Sequence, residues 1–330
     1  MRFGGRSGFF HPGFFLALFM LAAPAPALAF RIFVTNEKGN SVSVIDTDKQ
    51  QVVETVPVGR RPRGVSISPD GKLLYVCASD DNAINVLDVA TMKIVRSLES
   101  GPDPERFALN HAGDLLYIAN EDNAEVTVVD LAKNLILAQV PVGVEPEGMG
   151  LSPNGDLLVA TSETTNMAHF IDTRSYRLID SVLVGKRPRI AVFNRSGTQV
   201  WVSSELGGDV SVIDTANHQI IRKITFDVPG LTKEEIQPVG VVLSSDGRKA
   251  FVALGYANRV AVVDQQSFAV EKYLLVGVRV WHLAFTPDEK LLYTTNGNSN
   301  DVTAIDVARE KVIKSISVGL EPNDLVSSLR

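Results

Sequence analysis

A single cysteine in 330 residues rules out an intrachain disulfide in any compartment, so stability has to come from packing. That residue, Cys77, sits in an apolar strand-like run, where it reads as a small core side chain and not as a reactive thiol. Histidine is as sparse. Beyond residue 29 the chain has only His111, His169, His218 and His282, each at a different phase of the repeat described below, so no metal centre is expected from them. Cys-x-x-Cys-His, His-Glu-x-x-His, Gly-x-Ser-x-Gly and Walker A patterns are all missing, which argues against covalent haem, zincin, serine-hydrolase and nucleotide chemistry. Basic charge is not in excess either. The formal charge is −6, so nucleic acid is a poor partner.

No apolar run is long enough to span a ~30 Å hydrocarbon core. The apolar residues 14–23 instead follow Arg2 and Arg6 and precede Ala27-Leu28-Ala29, the pattern of a secretory leader cut after a small residue. Residues 1–29 are therefore expected to be a cleaved signal peptide and residues 30–330 a single exported, periplasmic domain.

What the chain has in abundance is repetition. An aspartate closing an apolar run recurs at Asp46, Asp88, Asp130, Asp172, Asp214, Asp264 and Asp306, with five of the six steps being 42 residues and one 50. Glycine follows thirteen residues later in every unit but one, where Asp227 stands. A proline comes three residues after the glycine position, displaced to Pro238 by the insertion in the long unit and replaced by Val280 in the next.

Each unit reads as four short strands, in the clearest case residues 64–68, 73–78, 83–88 and 94–98, with Ser68-Pro69-Asp70-Gly71 as the first turn. Seven such units predict an all-β, seven-bladed β-propeller of four-stranded antiparallel blades. Because the mature chain starts at a second strand and stops after a first one, residues 324–328 should complete the N-terminal blade and close the ring. Nothing in the pattern calls for a second subunit, so a monomer is expected.

The run Pro-x-Gly-Val-x-Ile-Ser-Pro-Asp-Gly-Lys-x-Leu-Tyr-Val, with Phe33-Val34-Thr35-Asn36 and Tyr117-Ile118-Ala119-Asn120, resembles the YVTN-repeat β-propellers over essentially the whole mature chain. It is most similar to the propeller proteins associated with PQQ-dependent catabolism. That resemblance implies a periplasmic accessory without an intrinsic cofactor. PQQ would be met only through a partner: a quinoprotein dehydrogenase, a cytochrome or a component of an ABC transporter. The eight-bladed, tryptophan-rich quinoprotein enzymes are a different pattern.

Function is expected on the face that carries the loops entering each first strand. The residues flanking the repeat proline there are Arg61 and Arg63, Asp103 and Glu105, Glu145 and Glu147, Arg187 and Arg189, Arg279, and Glu321. They suit a docking rim for an ionic ligand or protein; the plainer alternative is a belt of exposed ion pairs worth under ~1 kcal/mol each. One step deeper, Arg106, His282 and Asp324 replace the glycines of other units, and with Trp281 they are candidates for a small polar pocket in which His282 and Asp324 pair.

The insertion at 228–237 contains Thr232-Lys233-Glu234-Glu235, which fits a capping box and a short helical turn. Beside the binding or docking reading stand two others. One is a lactonase-like hydrolase using Asp324, His282 and Arg106. The other is a scaffold that grips an electron-transfer partner.

Overall fold

The computed structural model describes residues 1–5, 8 and 29–328. The apolar run 14–23, together with Ala27 and Leu28 of the expected cleavage motif, lies outside them. Among the described residues no helix is long and apolar enough to cross a membrane. Seven four-stranded antiparallel sheets follow one another around the ring, each in the order a-b-c-d from the channel outward.

Blade 2 shows how the sequence makes one. Its strands are Pro62–Ile67, Leu73–Ala78, Ala83–Asp88 and Lys93–Glu99. The first strand begins two residues earlier than the sequence pattern indicates. Proline lacks the N–H that an interior ladder position needs, so it stands at the strand's first residue, and the register slips between Pro62 and Val65. In the turn, Gly71 takes φ +72° while the Ser68 hydroxyl donates to Asp70 at 2.6 Å and accepts from the Leu73 N–H at 2.9 Å.

The repeat aspartate has an equally local cause. In each blade its Oδ1 accepts backbone N–H groups of the turn that follows, as Asp46 does from Asp48 (3.0 Å) and Lys49 (2.9 Å). Asp88, Asp172 and Asp306 repeat the device on Thr91, Ser175 and Arg309.

The expected closure is present. Pro322–Ser327 pairs antiparallel with Arg31–Asn36, matching Phe33 to Val326 and Val34 to Leu325. The core consists of apolar layers between blades. Phe33, Val42 and Val44 of blade 1 meet Leu74, Val76 and Leu87 of blade 2, and Ile32, Val34 and Ile45 on the other side of blade 1 meet Tyr293, Val302 and Ala304 of blade 7. Fully burying one such side chain stabilises by ~1.5–3 kcal/mol, and no blade can hide both of its faces alone.

Every outer strand carries a bulge, at Val53, Val95, Leu137, Ile179, Ile221, Glu271 and Ile313, which twists the exposed edge away from strand addition. The insertion folds as the capping box indicates. Lys233–Glu235 is a single 3₁₀ turn whose Glu235 carboxylate accepts the Thr232 N–H at 2.8 Å, and Val228 and Ile236 anchor the segment in the core between blades 5 and 6.

Candidate functional site: the propeller channel

The loops entering the first strands place the rim residues by an unusual backbone. Arg61, Asp103, Glu145, Arg187, Arg279 and Glu321, each at the position before the repeat proline or its Val280 substitute, adopt φ between +43° and +60°. A left-handed non-glycine residue costs about 1–2 kcal/mol and needs support. In five blades an asparagine 21 residues upstream supplies it, accepting the rim N–H on its side-chain oxygen. Asn40 serves Arg61 (2.9 Å), Asn82 serves Asp103 (3.0 Å), Asn166 serves Arg187 (2.9 Å), Asn258 serves Arg279 (2.8 Å) and Asn300 serves Glu321 (2.8 Å). Blade 3 has Ala124 at this place, and there Glu145 instead accepts from the Thr164 hydroxyl. The asparagine series recurs in phase in the sequence and was a legible signal that the proline and glycine series overshadowed.

These loops turn the charges inward, onto one another. Arg63 lies 3.2 Å from Glu37, 2.6 Å from Glu105 and 3.2 Å from Glu147. Arg61 reaches Asp103 and Glu105, both at 2.6 Å. Arg189 continues the chain to Glu147 (3.5 Å), Glu205 (2.9 Å) and Glu163, and Arg187 joins Glu163 at 2.7 Å. Arg279 ends it on Glu205 at 2.5 Å, with its guanidinium 3.9 Å from the Trp281 ring centroid and 4.4 Å from that of Tyr256.

Arg63, Glu105, Glu147, Arg189 and Arg279 are buried. These five are therefore not exposed, weak pairs and do not present an open rim, whereas Arg61, Asp103, Glu145, Arg187 and Glu321 keep part of their surface in solvent. The belt is an ion-paired stopper in the upper mouth of the channel, and Glu321, tied to Lys38 at 2.5 Å, stays at its edge. Burial pushes the Glu147 carboxyl up, and the guanidinia of Arg189, Arg63 and Arg106 outweigh it, bringing the pKa down to about 2. Glu37, Glu163 and Glu205 were missed in the sequence, although glutamate recurs at 37, 121, 163 and 205, the first residue of the b–c turn. The carboxylates of Asp103, Glu105 and Glu121 lie within 4.8 Å of one another, but the Arg61 guanidinium already pairs with two of the three.

One step deeper, the seven strands present Asp324, Gly64, Arg106, Gly148, Ile190, Gly240 and His282 in ring order. A Cβ on Gly64 would stand 2.9 Å from the Glu105 carbonyl, and one on Gly240 2.6 Å from that of Trp281. Glycine lets the next blade's strand pass, so side chain and glycine alternate. Seven is odd, so alternation must fail once, and it fails where His282 and Asp324 stand side by side.

The pairing expected between these two does not form. The Asp324 carboxylate lies 2.9 Å from Arg106 Nη2 and accepts the N–H groups of Val65 (3.1 Å) and Leu325 (2.8 Å). A guanidinium offers a full charge that a buried imidazole does not. Burial, reinforced by Arg106 and the belt arginines, holds the His282 imidazole well below its ordinary pKa and so neutral. His282 Nδ1 and Arg106 Nη1 are buried without a hydrogen-bond partner among the described residues. Trp281 is turned up against Arg279 and belongs to the stopper, not to the pocket proposed for it.

Seven interlocked four-stranded blades around a stoppered channel define a closed seven-bladed β-propeller. Sequence comparison adds the family: the model described as "Lactonase, 7-bladed beta-propeller" matches residues 2–135 and 181–312, and the chain belongs to that family.

No curated protein matches the sequence. Among solved structures, hydrazine synthase of Kuenenia stuttgartiensis is similar with a TM-score of 0.77 at 19% identity, covering 88% of this chain and 99% of that one. A functionally unknown protein from Desulfotomaculum acetoxidans DSM 771 gives 0.76 at 17% identity, over 90% and 98% of the two chains. Dihydro-heme d1 dehydrogenase NirN in complex with DHE gives 0.67 at 14%, over 90% and 74%. At these identities the likeness is one of fold.

Proposed function

We propose that the chain is a non-catalytic docking propeller of the periplasm, an accessory to PQQ-dependent alcohol oxidation and an associated ABC transport system. The observation that carries the docking reading is the stopper. With the belt arginines paired to carboxylates, the upper mouth is filled by ion-paired side chains, and contact is left to the groups standing above it.

Those groups are unevenly distributed. Asp80 and Asp122 are exposed and Glu121 and Glu145 half-exposed over blades 2 and 3, with exposed Arg60 and Val144 at the ends of that stretch, whereas Leu206 (58% exposed), Tyr256 (49%), Val278 and Leu320 stand over blades 5 to 7. Beside Leu206, the insertion borders a cleft of about 490 Å³ lined also by Phe226, Leu231 and Lys233. An acidic arc facing an apolar arc suits a protein partner with basic and apolar surface. PQQ carries three carboxylates, and the paired arginines do not fit it as a resident, in keeping with a cofactor met only through the partner.

Binding of the purified quinoprotein dehydrogenase, cytochrome and transporter binding component of the source organism, measured at low and high salt, tests this reading. Salt-sensitive affinity for one of them, lowered by Tyr256→Ala and by Asp80→Lys with Asp122→Lys, is the expected result. No binding to any of the three overturns it.

A second reading, lactone hydrolysis, is favoured by one pair of atoms and by the family. A neutral His282 and the free Nη1 of Arg106, on the same ring of the channel, offer an imidazole and an oxyanion donor. Lactone turnover that disappears in His282→Ala would establish it in place of the docking reading.

A further inference from the structure

At the end of the second strand two blades carry the same buried polar device, and a third blade has the acceptors without the donor. In blade 1, Asn36 sits opposite Ser41, and its amide nitrogen donates to the hydroxyls of Ser41 and Ser43, at 3.0 Å each. In blade 7 the same positions, in the same register, are Asn296, Asp301 and Thr303, and the amide nitrogen lies 2.9 Å from both acceptors. One nitrogen thus satisfies two oxygens.

Blade 5 keeps only the oxygens. Ser204 stands opposite Asp209, and Ser211 follows two residues on, so the acceptor pair is that of blade 7 in type and register. Serine ends one bond short of where asparagine carries its nitrogen. Ser204 Oγ, Asp209 Oδ1 and Ser211 Oγ are all buried and have no hydrogen-bond partner among the described residues. Gly185 covers the first two: a Cβ on it would stand 2.6 Å from Ser204 Oγ and 2.8 Å from Asp209 Oδ1. The two carboxylates are also supported differently. Asp301 accepts from Asn296, Ser299 and Ser315, whereas Asp209 has Lys223 alone, 3.4 Å from its other oxygen.

Charge and spacing select the ligand. A buried carboxylate oxygen with no donor of its own favours a cation over a neutral group. The amide nitrogens of blades 1 and 7 stand 2.9–3.0 Å from their acceptors, a distance that an ammonium ion repeats and a potassium ion matches in size. Calcium gathers about 6–8 oxygens at about 2.3–2.6 Å, so three oxygens at the wider spacing do not suit it.

We propose that the Ser204, Asp209 and Ser211 corner of blade 5 binds a monovalent cation of the size of ammonium or potassium, in the place that an asparagine amide takes in blades 1 and 7. The turn closed by this corner carries Glu205 of the stopper and the exposed Leu206, so the ion supports both. The site does not depend on the docking reading.

Thermal melts of the full mature chain in ammonium, potassium, sodium and choline chloride at equal ionic strength test it. Tm should be about 2 °C higher in ammonium or potassium than in choline, with the smaller sodium ion between. A rise with ammonium alone would mean that hydrogen-bond donors are required, and a rise with both that size and charge suffice; either supports the site. Ser204→Asn, which installs the amide of blades 1 and 7, should abolish the salt dependence and melt no lower than the parent in choline. Asp209→Asn, which keeps the shape and removes the charge, should abolish the dependence as well. In NMR, 15N-labelled ammonium should give a bound signal that Ser204→Asn removes. Equal Tm in all four salts with no bound ammonium signal, meaning that the corner holds water only, overturns the proposal, as does a cation dependence that survives both substitutions.

Discussion

The upper mouth of the channel and the ring just beneath it are built from the same seven strands, one residue apart, and they solve burial differently. At the mouth, long arginine and glutamate side chains span neighbouring blades, so most charges have two or three opposite charges within 4 Å, although Arg63 Nε, Glu105 Oε2, Arg189 Nε and Glu205 Oε2 are buried there without a hydrogen bond. In the ring below, glycines let the backbones crowd together, only four side chains remain, and one pair forms while two groups are left over. Charge density is not what separates a stopper from a site here. What matters is whether the strands stand far enough apart for side chains to reach across.

The strongest way to break both levels together is to remove the strand that serves both. Deleting the last ten residues takes away Pro322–Ser327 and exposes the N-terminal blade, and it should lower Tm by ~10 °C or more in a thermal melt. An unchanged Tm would contradict closure.

Next comes a contrast between the levels. Arg189→Leu leaves Glu147, Glu163 and Glu205 short of a cation and should cost ~3–5 kcal/mol in urea unfolding. Arg106→Leu leaves Asp324, still bonded to two backbone N–H groups, and takes from Glu147 the weakest of its three cations, and should cost ~1–3 kcal/mol. A reversed order would mean that the belt is not collectively stabilised.

Acid should act on the belt through Glu147 and with the opposite sign through Glu105, whose carboxyl burial pushes well up. The folded pKa of Glu147, about 2, lies below its ordinary value of 4.5, so its contribution is complete above pH ~4.5 and is lost as pH falls toward 2. The turn carboxylates of Asp46, Asp88, Asp130, Asp172, Asp264 and Asp306 are lowered too and add with the same sign. His169, held by burial at about 4, gives up its share as pH falls from ~6.5 through 4. Unfolding free energy measured at pH 7, 5 and 3 should therefore drop mainly between 5 and 3, with a shallower drop in Glu147→Gln.

The smallest effect belongs to the loop clamps. Asn258→Ala, which frees the Arg279 N–H, should cost ~1 kcal/mol, whereas Ala124→Asn, supplying the missing clamp to Glu145, should be neutral or slightly stabilising.

The fold was legible because its information is local and repeated. Gly71 in its turn, Asp46 on its turn amides and Val-Ile alternation along each strand act within a few residues, and seven copies of a unit with two apolar faces leave a ring as the way to cover them all. The positions of Arg106, His282 and Asp324 were legible for the same reason, since they interrupt a glycine series. Their partners were not. Arg106 and Asp324 are 218 positions apart in sequence, and Arg63 with Glu147 are 84 apart, so their meeting depends on the radius at which the ring closes.

Sequence alone thus determined the blade, the number of blades and the register in which charges approach the axis, because each follows from short-range chemistry multiplied by seven. Only the tertiary structure decided which charges neutralise one another, that the rim faces inward, and that His282 is left without Asp324. Those outcomes rest on distances across the channel, and the channel exists only once all seven blades are in place.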